Sequence, residues 1–251
     1  MVRTLVAVSP DIESSIALRL ACELAHFCEM SIQAIYAKEP EVPGGYTDFG
    51  WARRTWERTL IEKFEREISQ LIKTEERFCP VTIQPIVTTS ERDKAVLERL
   101  RTGEYDLFVE GALSPEMEVV KERLDSKLYQ NAPVPVVLVR NLMKVDRVMV
   151  VLDRDFLSDQ VSEVLKSLFE KKDLQMDVCF LKAEVGDNAA TIEALRSLGF
   201  SVRNVYRYPG SELPSEYPLI ITEFNRHKGY SESYFRVLEN VNASVLFAWS
   251  E

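Results

Sequence analysis

Histidine and cysteine, which most often build metal and nucleophile sites, are scarce: the 251-residue chain has two histidines and four cysteines. His26 falls in an amphipathic helical stretch and His227 in a loop, so there is no HExxH and no Cys/His zinc spacing, and no metal is expected. His26 reads as a helix-surface or core-edge residue. Cys22, Cys28, Cys79 and Cys179 are scattered, sit mostly in apolar surroundings and form no CxxC pair. They read as buried small hydrophobes.

Other absences exclude further classes. No run reaches the roughly 18 to 20 apolar residues needed to cross a bilayer, and the start "MVRTLVAVSP" lacks a signal-peptide cleavage region, so no membrane role is expected and the expected compartment is the cytoplasm. A formal net charge of -9 argues against a nucleic-acid partner, because binding to phosphates needs clustered Lys and Arg. No GxGxxG follows an opening strand, which removes the dinucleotide fingerprint. No GxSxG elbow marks a hydrolase nucleophile. "VVLDRD" resembles the acidic strand end of a phospho-accepting receiver, but the matching third strand, "SVRNVYRY", ends without the Asp such a domain needs.

What is present is an alternation of strand and helix signals. "TLVAV" is a short β-branched run, followed by "DIESSIALRLACELAHFCEM" with Ile16, Leu20, Leu24 and Phe27 at helical spacing. Asp11 or Ser9 can cap that helix. "SIQAIYA", "VTIQPIV", "YDLFVEG" and "VPVVLVR" are further strands, and a long charged helix spans about Trp51 to Thr74. Ser90 and Asp93 have capping-box spacing before "ERDKAVLERLRTG", which Gly103 closes. Strands that are apolar throughout, separated by helices, imply a parallel sheet covered on both faces: a doubly wound α/β domain. After Arg140 the polar junction "NLMKVD" leads to "RVMVVLD", and five strands recur in a shorter frame ending in "ASVLFAW".

These residues carry a family resemblance. "RTLVAVSPDIESSIALRLACELA", "YDLFVEGA" and "LDSKLYQNAPVPVVLVR" resemble the universal stress protein domain, over residues 1–140 in order, with "NAPVPVVLV" the most specific piece. Residues 145–251 fit by element order and by "RVMVVLD", "LIITEF" and "ENVNASVLFA". The chain therefore resembles a tandem member, with one domain over 1–141 and a divergent, shortened one over 145–251. The fold so implied is two five-stranded parallel-sheet, Rossmann-like domains forming a pseudo-dimer. Fifth strands commonly pair across a two-fold axis in this family, so Val134, Val136, Leu138, Val245 and Phe247 are expected at the domain interface. Association of two such chains into a homodimer is left open.

The resemblance also defines where to look for a ligand. ATP-binding members carry, after the fourth strand, a Gly, two residues, a Gly, nine residues, then Gly followed by Ser or Thr; glycines let backbone N–H groups approach phosphates at a helix start. Here Gly111 holds the first position, Ser114 the second with Pro115 beside it, and the third falls on Leu124 or Glu122. Glu116, Glu118 and Glu122 add charge of the wrong sign. Ser9 and Pro10 replace the family's Asp-Gly at the end of the first strand.

The second domain keeps Asp153 at that Asp position. Its loop "TEFNRHKGYSES" has Gly229 alone, with Arg226, His227 and Lys228 beside it. Either "NRHKG" is a solvated basic turn, or Arg226 and Lys228, with Thr222 and Asp153 nearby, hold an anion. The insertion at 41–57, with Tyr46, Phe49, Trp51 and Trp56 near Arg53 and Arg54, either packs over its own sheet or forms a lid or partner surface. The expected function is non-catalytic, in stress or regulatory physiology, through contacts with an unknown protein partner and without a cofactor. The alternative is an adenine-nucleotide or anion sensor using the second domain, with ATP or ADP as ligand and weak ATP hydrolysis as its enzymatic variant.

Overall fold

Strand residues alternate between two apolar layers: Val6, Val137, Val148, Ile221 and Leu246 pack into one, and Leu5, Val136, Met149, Ile220 and Phe247 into the other. A strand with two apolar faces must be covered on both, and the chain supplies helices to do so. The computed structural model describes residues 1–38, 50–114, 116–153, 156–169, 174–181, 188–226, 229 and 231–250, without the side chains of 50–57 and 250.

The first half runs β1 (Val2–Ala7), α1 (Ile12–Leu24), β2 (Met30–Ala37), α2 (Gly50–Glu75), a 3-10 turn (Glu76–Phe78), β3 (Ile83–Thr88), α3 (Arg92–Thr102), β4 (Leu107–Gly111), α4 (Met117–Asp125), α5 (Lys127–Asn131) and β5 (Val136–Val139). The second runs β6 (Arg147–Leu152), α6 (Asp159–Phe169), β7 (Gln175–Phe180), α7 (Ala189–Ser197), β8 (Ser201–Arg207), β9 (Glu216–Asn225), α8 (Glu232–Asn240) and β10 (Asn242–Ser250). The described strands form one ten-stranded sheet in the order β3-β2-β1-β4-β5-β10-β9-β6-β7-β8. Every pairing is parallel except β5 with β10, which is antiparallel and joins the two halves.

α1, α2, α6 and α7 contribute to the first layer, and α3, α4, α5 and α8 to the second. Asp11 caps α1, its carboxylate accepting from Ser14 N at 2.8 Å. On α2 the buried Phe64, Ile68 and Ile72 recur every four residues and form its contact stripe. Glu75 ends the same stripe as a buried carboxylate, accepting from Arg19 Nε of α1 at 2.6 Å. The second half has no helix between β8 and β9, so Val205 lies open on the outermost strand. Both sheet edges carry residues that oppose edge pairing: Pro85 in β3, and Arg203 and Arg207 in β8.

Two expectations are corrected. Cys22 and Cys79 are not merely apolar fillers. They form a disulfide across 57 residues, with Cα atoms 4.8 Å apart, tying α1 to the segment after α2. Cys28 and Cys179 remain thiols, and burial pushes the Cys179 thiol up to about 12. The Ser90–Asp93 capping box does not form either: Glu91 stands at the N-cap of α3 without a side-chain cap, and Asp93 accepts from Arg92 instead. Among the described residues no helix is long and apolar enough to cross a membrane, and no group of three or more acidic, His or Cys side chains could hold a metal.

Candidate functional site at the carboxyl ends of the strands

In a doubly wound sheet, ligands bind in the crevice at the strand carboxyl ends. In the first half that crevice is bounded by Ser9 after β1 and by Gly111 to Ser114 after β4. A Cβ at Gly111 would stand 2.0 Å from the Glu13 carbonyl oxygen, so glycine here is required by the close approach of the first turn of α1. Three of the loop's backbone donors are satisfied within the chain. Leu113 N donates to the Glu13 carboxylate at 3.2 Å, Ala112 N to Val139 O at 2.8 Å, and Glu116 N to Ser114 Oγ at 3.3 Å. Ser9 N donates to Ser14 Oγ at 2.6 Å. A carboxylate of the chain itself thus sits on a backbone donor of this loop.

Beside this loop lies a charge cluster that the sequence reading missed. Glu110 of β4 is fully buried, ion-paired with Arg92 of α3 and lying 3.7 Å from Arg123 of α4. Burial, and then the negative charge of Glu110, hold the Tyr129 phenol of α5 well above its usual range. The signal was available: a Glu inside the apolar run "YDLFVEG" must either face water or be paired.

In the second half, Asp153, Thr222 and Gly229 come together. With Asn225, Ser231 and Tyr234 they line a cavity of about 90 Å³ at the ends of β6 and β9. Thr222 Oγ1 donates to Val151 O at 3.1 Å, and Ser231 caps α8 by accepting from Tyr234 N at 3.3 Å. Gly229 adopts φ +67° with open space where a side chain would project. Burial pushes the Tyr234 phenol up, keeping it protonated. At that volume the cavity has room for a small ion.

Arg226 is not in this cavity, contrary to its expected role. Its guanidinium lies 4.5 Å from the centroid of the Trp249 ring and donates to Ala132 O of the first half. Lys228 and His227 lie outside the described residues, as do Tyr46 and Phe49 of the insertion and the side chains of Trp51, Arg53, Arg54 and Trp56.

The remaining candidates gather at the junction. The β5–β10 ladder sets Val245 opposite Leu138 and Phe247 opposite Val136. Val134 precedes β5, and its carbonyl accepts from Trp249 Nε1. Trp249 stacks on Phe247 at 5.9 Å and meets Tyr129 of the first half edge-on at 6.1 Å. On the opposite face, Phe27 after α1 meets Phe169 of α6 at 5.5 Å, and Val145 N donates to the Glu23 carboxylate at 2.8 Å.

Two Rossmann-like halves sharing one sheet through antiparallel fifth strands define a tandem α/β protein of the universal stress protein fold. The solved structures similar to this chain agree. A universal stress protein from Archaeoglobus fulgidus DSM 4304 matches it over 98% of both chains with a TM-score of 0.68 at 14% identity. A functionally unknown protein from Pseudomonas aeruginosa PAO1 matches over 98% of this chain and 92% of its own, with a TM-score of 0.52 at 14% identity. No family model matches the sequence, and no curated protein matches it. At this identity the likeness is one of fold.

Proposed function

We propose that the chain is a non-catalytic tandem protein of the universal stress protein type, acting in stress or regulatory physiology through protein–protein contacts, with no triphosphate bound in its first half. The observation that carries this reading is the Glu13 carboxylate on Leu113 N. It fills with negative charge the place where a phosphate cradle needs an unpaired donor. The acidic Glu118 in the first turn of α4 acts in the same direction. Calorimetric titration of the full chain with magnesium ATP tests it. No saturable heat is expected at millimolar nucleotide, and micromolar binding would overturn the proposal.

A second reading rests on the cavity at Asp153 and Thr222, whose size suits a small anion held by the backbone around Gly229 and the start of α8. Thermal melting in graded phosphate, with sodium chloride at matched ionic strength, tests that reading. A phosphate-specific rise in Tm supports it, and identical curves in the two salts remove it.

A further inference from the structure

A separate cleft lies on the opposite flank of α1, where the linker between the halves crosses that helix. Its volume is about 560 Å³, within the range of small-molecule sites. Its walls come from Leu20 on α1, Phe27 just after it, Phe78 after α2, and Leu142 and Met143 of the linker. Two of these are anomalous for surface residues: Phe78 is 71% exposed and Leu142 56% exposed, and both face the same cleft. Nothing among the described residues covers them.

The polar groups of the cleft are divided by chemistry. Both carboxylates already hold a donor: Glu75 accepts from Arg19 at 2.6 and 3.3 Å, and Glu23 accepts from Val145 N. Lys144 on the linker and His26 in the turn after α1 have no ion-pair partner among the described residues. With Arg19 already paired to Glu75 and Glu23 holding Val145 N, Lys144 is the positive charge left to meet a ligand, with His26 as a further polar group. An apolar trough with a cationic rim fits a molecule with an apolar tail and an anionic head.

We propose that this cleft binds a small amphiphilic carboxylate, its tail covering Phe78 and Leu142 and its head at Lys144 and His26. The site exists only because the two halves are joined, since Leu142, Met143 and Lys144 belong to the linker. The Cys22–Cys79 disulfide fixes its wall, because Cys22 lines the cleft and Cys79 adjoins Phe78. The proposal is independent of the nucleotide question, as it shares no residue with the strand-end crevice.

The test uses the full chain with the fluorescent sulfonate anilinonaphthalene sulfonate as reporter and dodecanoate as competitor. Saturable binding of the reporter is expected, with displacement by dodecanoate and much weaker displacement by the uncharged dodecanol. Lys144→Glu and Phe78→Ser change exposed side chains and should leave the far-UV spectrum and melting unchanged while each weakens dodecanoate by about fivefold or more. Absence of saturable dodecanoate binding overturns the proposal. So does equal competition by dodecanol, or undiminished affinity in both variants.

Discussion

Replacing Trp249 by Ala removes the side chain that ties β10 to the first half, and its cost can be worked from its contacts. The indole loses its N–H bond to Val134 O, about 1 kcal/mol, its place under the Arg226 guanidinium, about 0.5 to 1 kcal/mol, and its edge contact with Tyr129, about 1 kcal/mol. The apolar area of a half-buried indole adds roughly 2 kcal/mol. These terms share one side chain and do not simply add, so a loss of about 3 kcal/mol is expected. Trp249→Phe keeps the ring contacts and should lose only about 1 kcal/mol. Urea unfolding followed by circular dichroism reads both. With a slope of about 3 kcal/mol per molar, the Ala variant should shift the midpoint down by about 1 M. Since one sheet and both apolar layers run through the two halves, the unmodified chain should unfold in one transition. A Trp249→Ala shift no larger than that of Trp249→Phe, or two well-separated transitions in the parent protein, would refute the reasoning that the junction is integral to stability.

Further outcomes follow from the same structure. Residues 1–141 and 145–251 expressed separately should self-associate or aggregate on a sizing column, because each exposes an apolar fifth strand. Two monomeric halves would contradict that. Gly111→Ala should be strongly destabilising, by 2 kcal/mol or more, because the new Cβ meets backbone rather than a movable side chain; an unchanged urea midpoint would show that α1 can retreat. Thiol titration of unreduced protein should give one accessible thiol when native, from Cys28, two when denatured, and four after reduction. Four thiols without reduction would contradict the disulfide.

The alkaline limb of stability follows from buried phenols. Burial raises Tyr129, Tyr217 and Tyr234 in the folded chain, with the nearby charges of Glu110 and Asp177 adding to the first two. Above pH 10 the unfolded chain releases these protons and the folded chain keeps them. Folding therefore binds protons there, and stability must fall as pH rises, by about 1.4 kcal/mol per unit for each phenol. Urea midpoints should begin to fall near pH 9, where the unfolded chain releases the Cys179 proton and the folded chain keeps it, and fall more steeply beyond pH 10; Tyr234→Phe should make that steeper part shallower. A midpoint independent of pH up to 11 would contradict the assignment.

The fold was legible because its signals are local or repetitive. Apolar runs such as "RVMVVLD" can only be strands with two covered faces, and the repeated order of elements in the two halves leads to a shared sheet. The pairing of "VPVVLVR" with "SVLFAW" follows from the hazard of leaving two such edges bare. The disulfide was not legible, since Cys22 and Cys79 are 57 residues apart and meet only through the packing of α2 on α1. Glu13 and Arg226 illustrate the same limit at the site. Glu13 looks like an ordinary acidic residue in a first helical turn, yet its carboxylate reaches a loop 100 residues away. Arg226 looks like an anion ligand beside Gly229, yet an aromatic ring and a carbonyl 94 residues earlier hold it at the junction. Side-chain reach across a fold is set by tertiary packing, which spacing along the chain does not encode.

The central claim is that the first half retains the position of a nucleotide loop but fills it with the chain's own carboxylate. It is tested most directly by denaturing freshly purified full-length protein and identifying the released small molecules by mass spectrometry. The account predicts no ATP or ADP above a few hundredths of an equivalent; release of either at one equivalent per chain would contradict it.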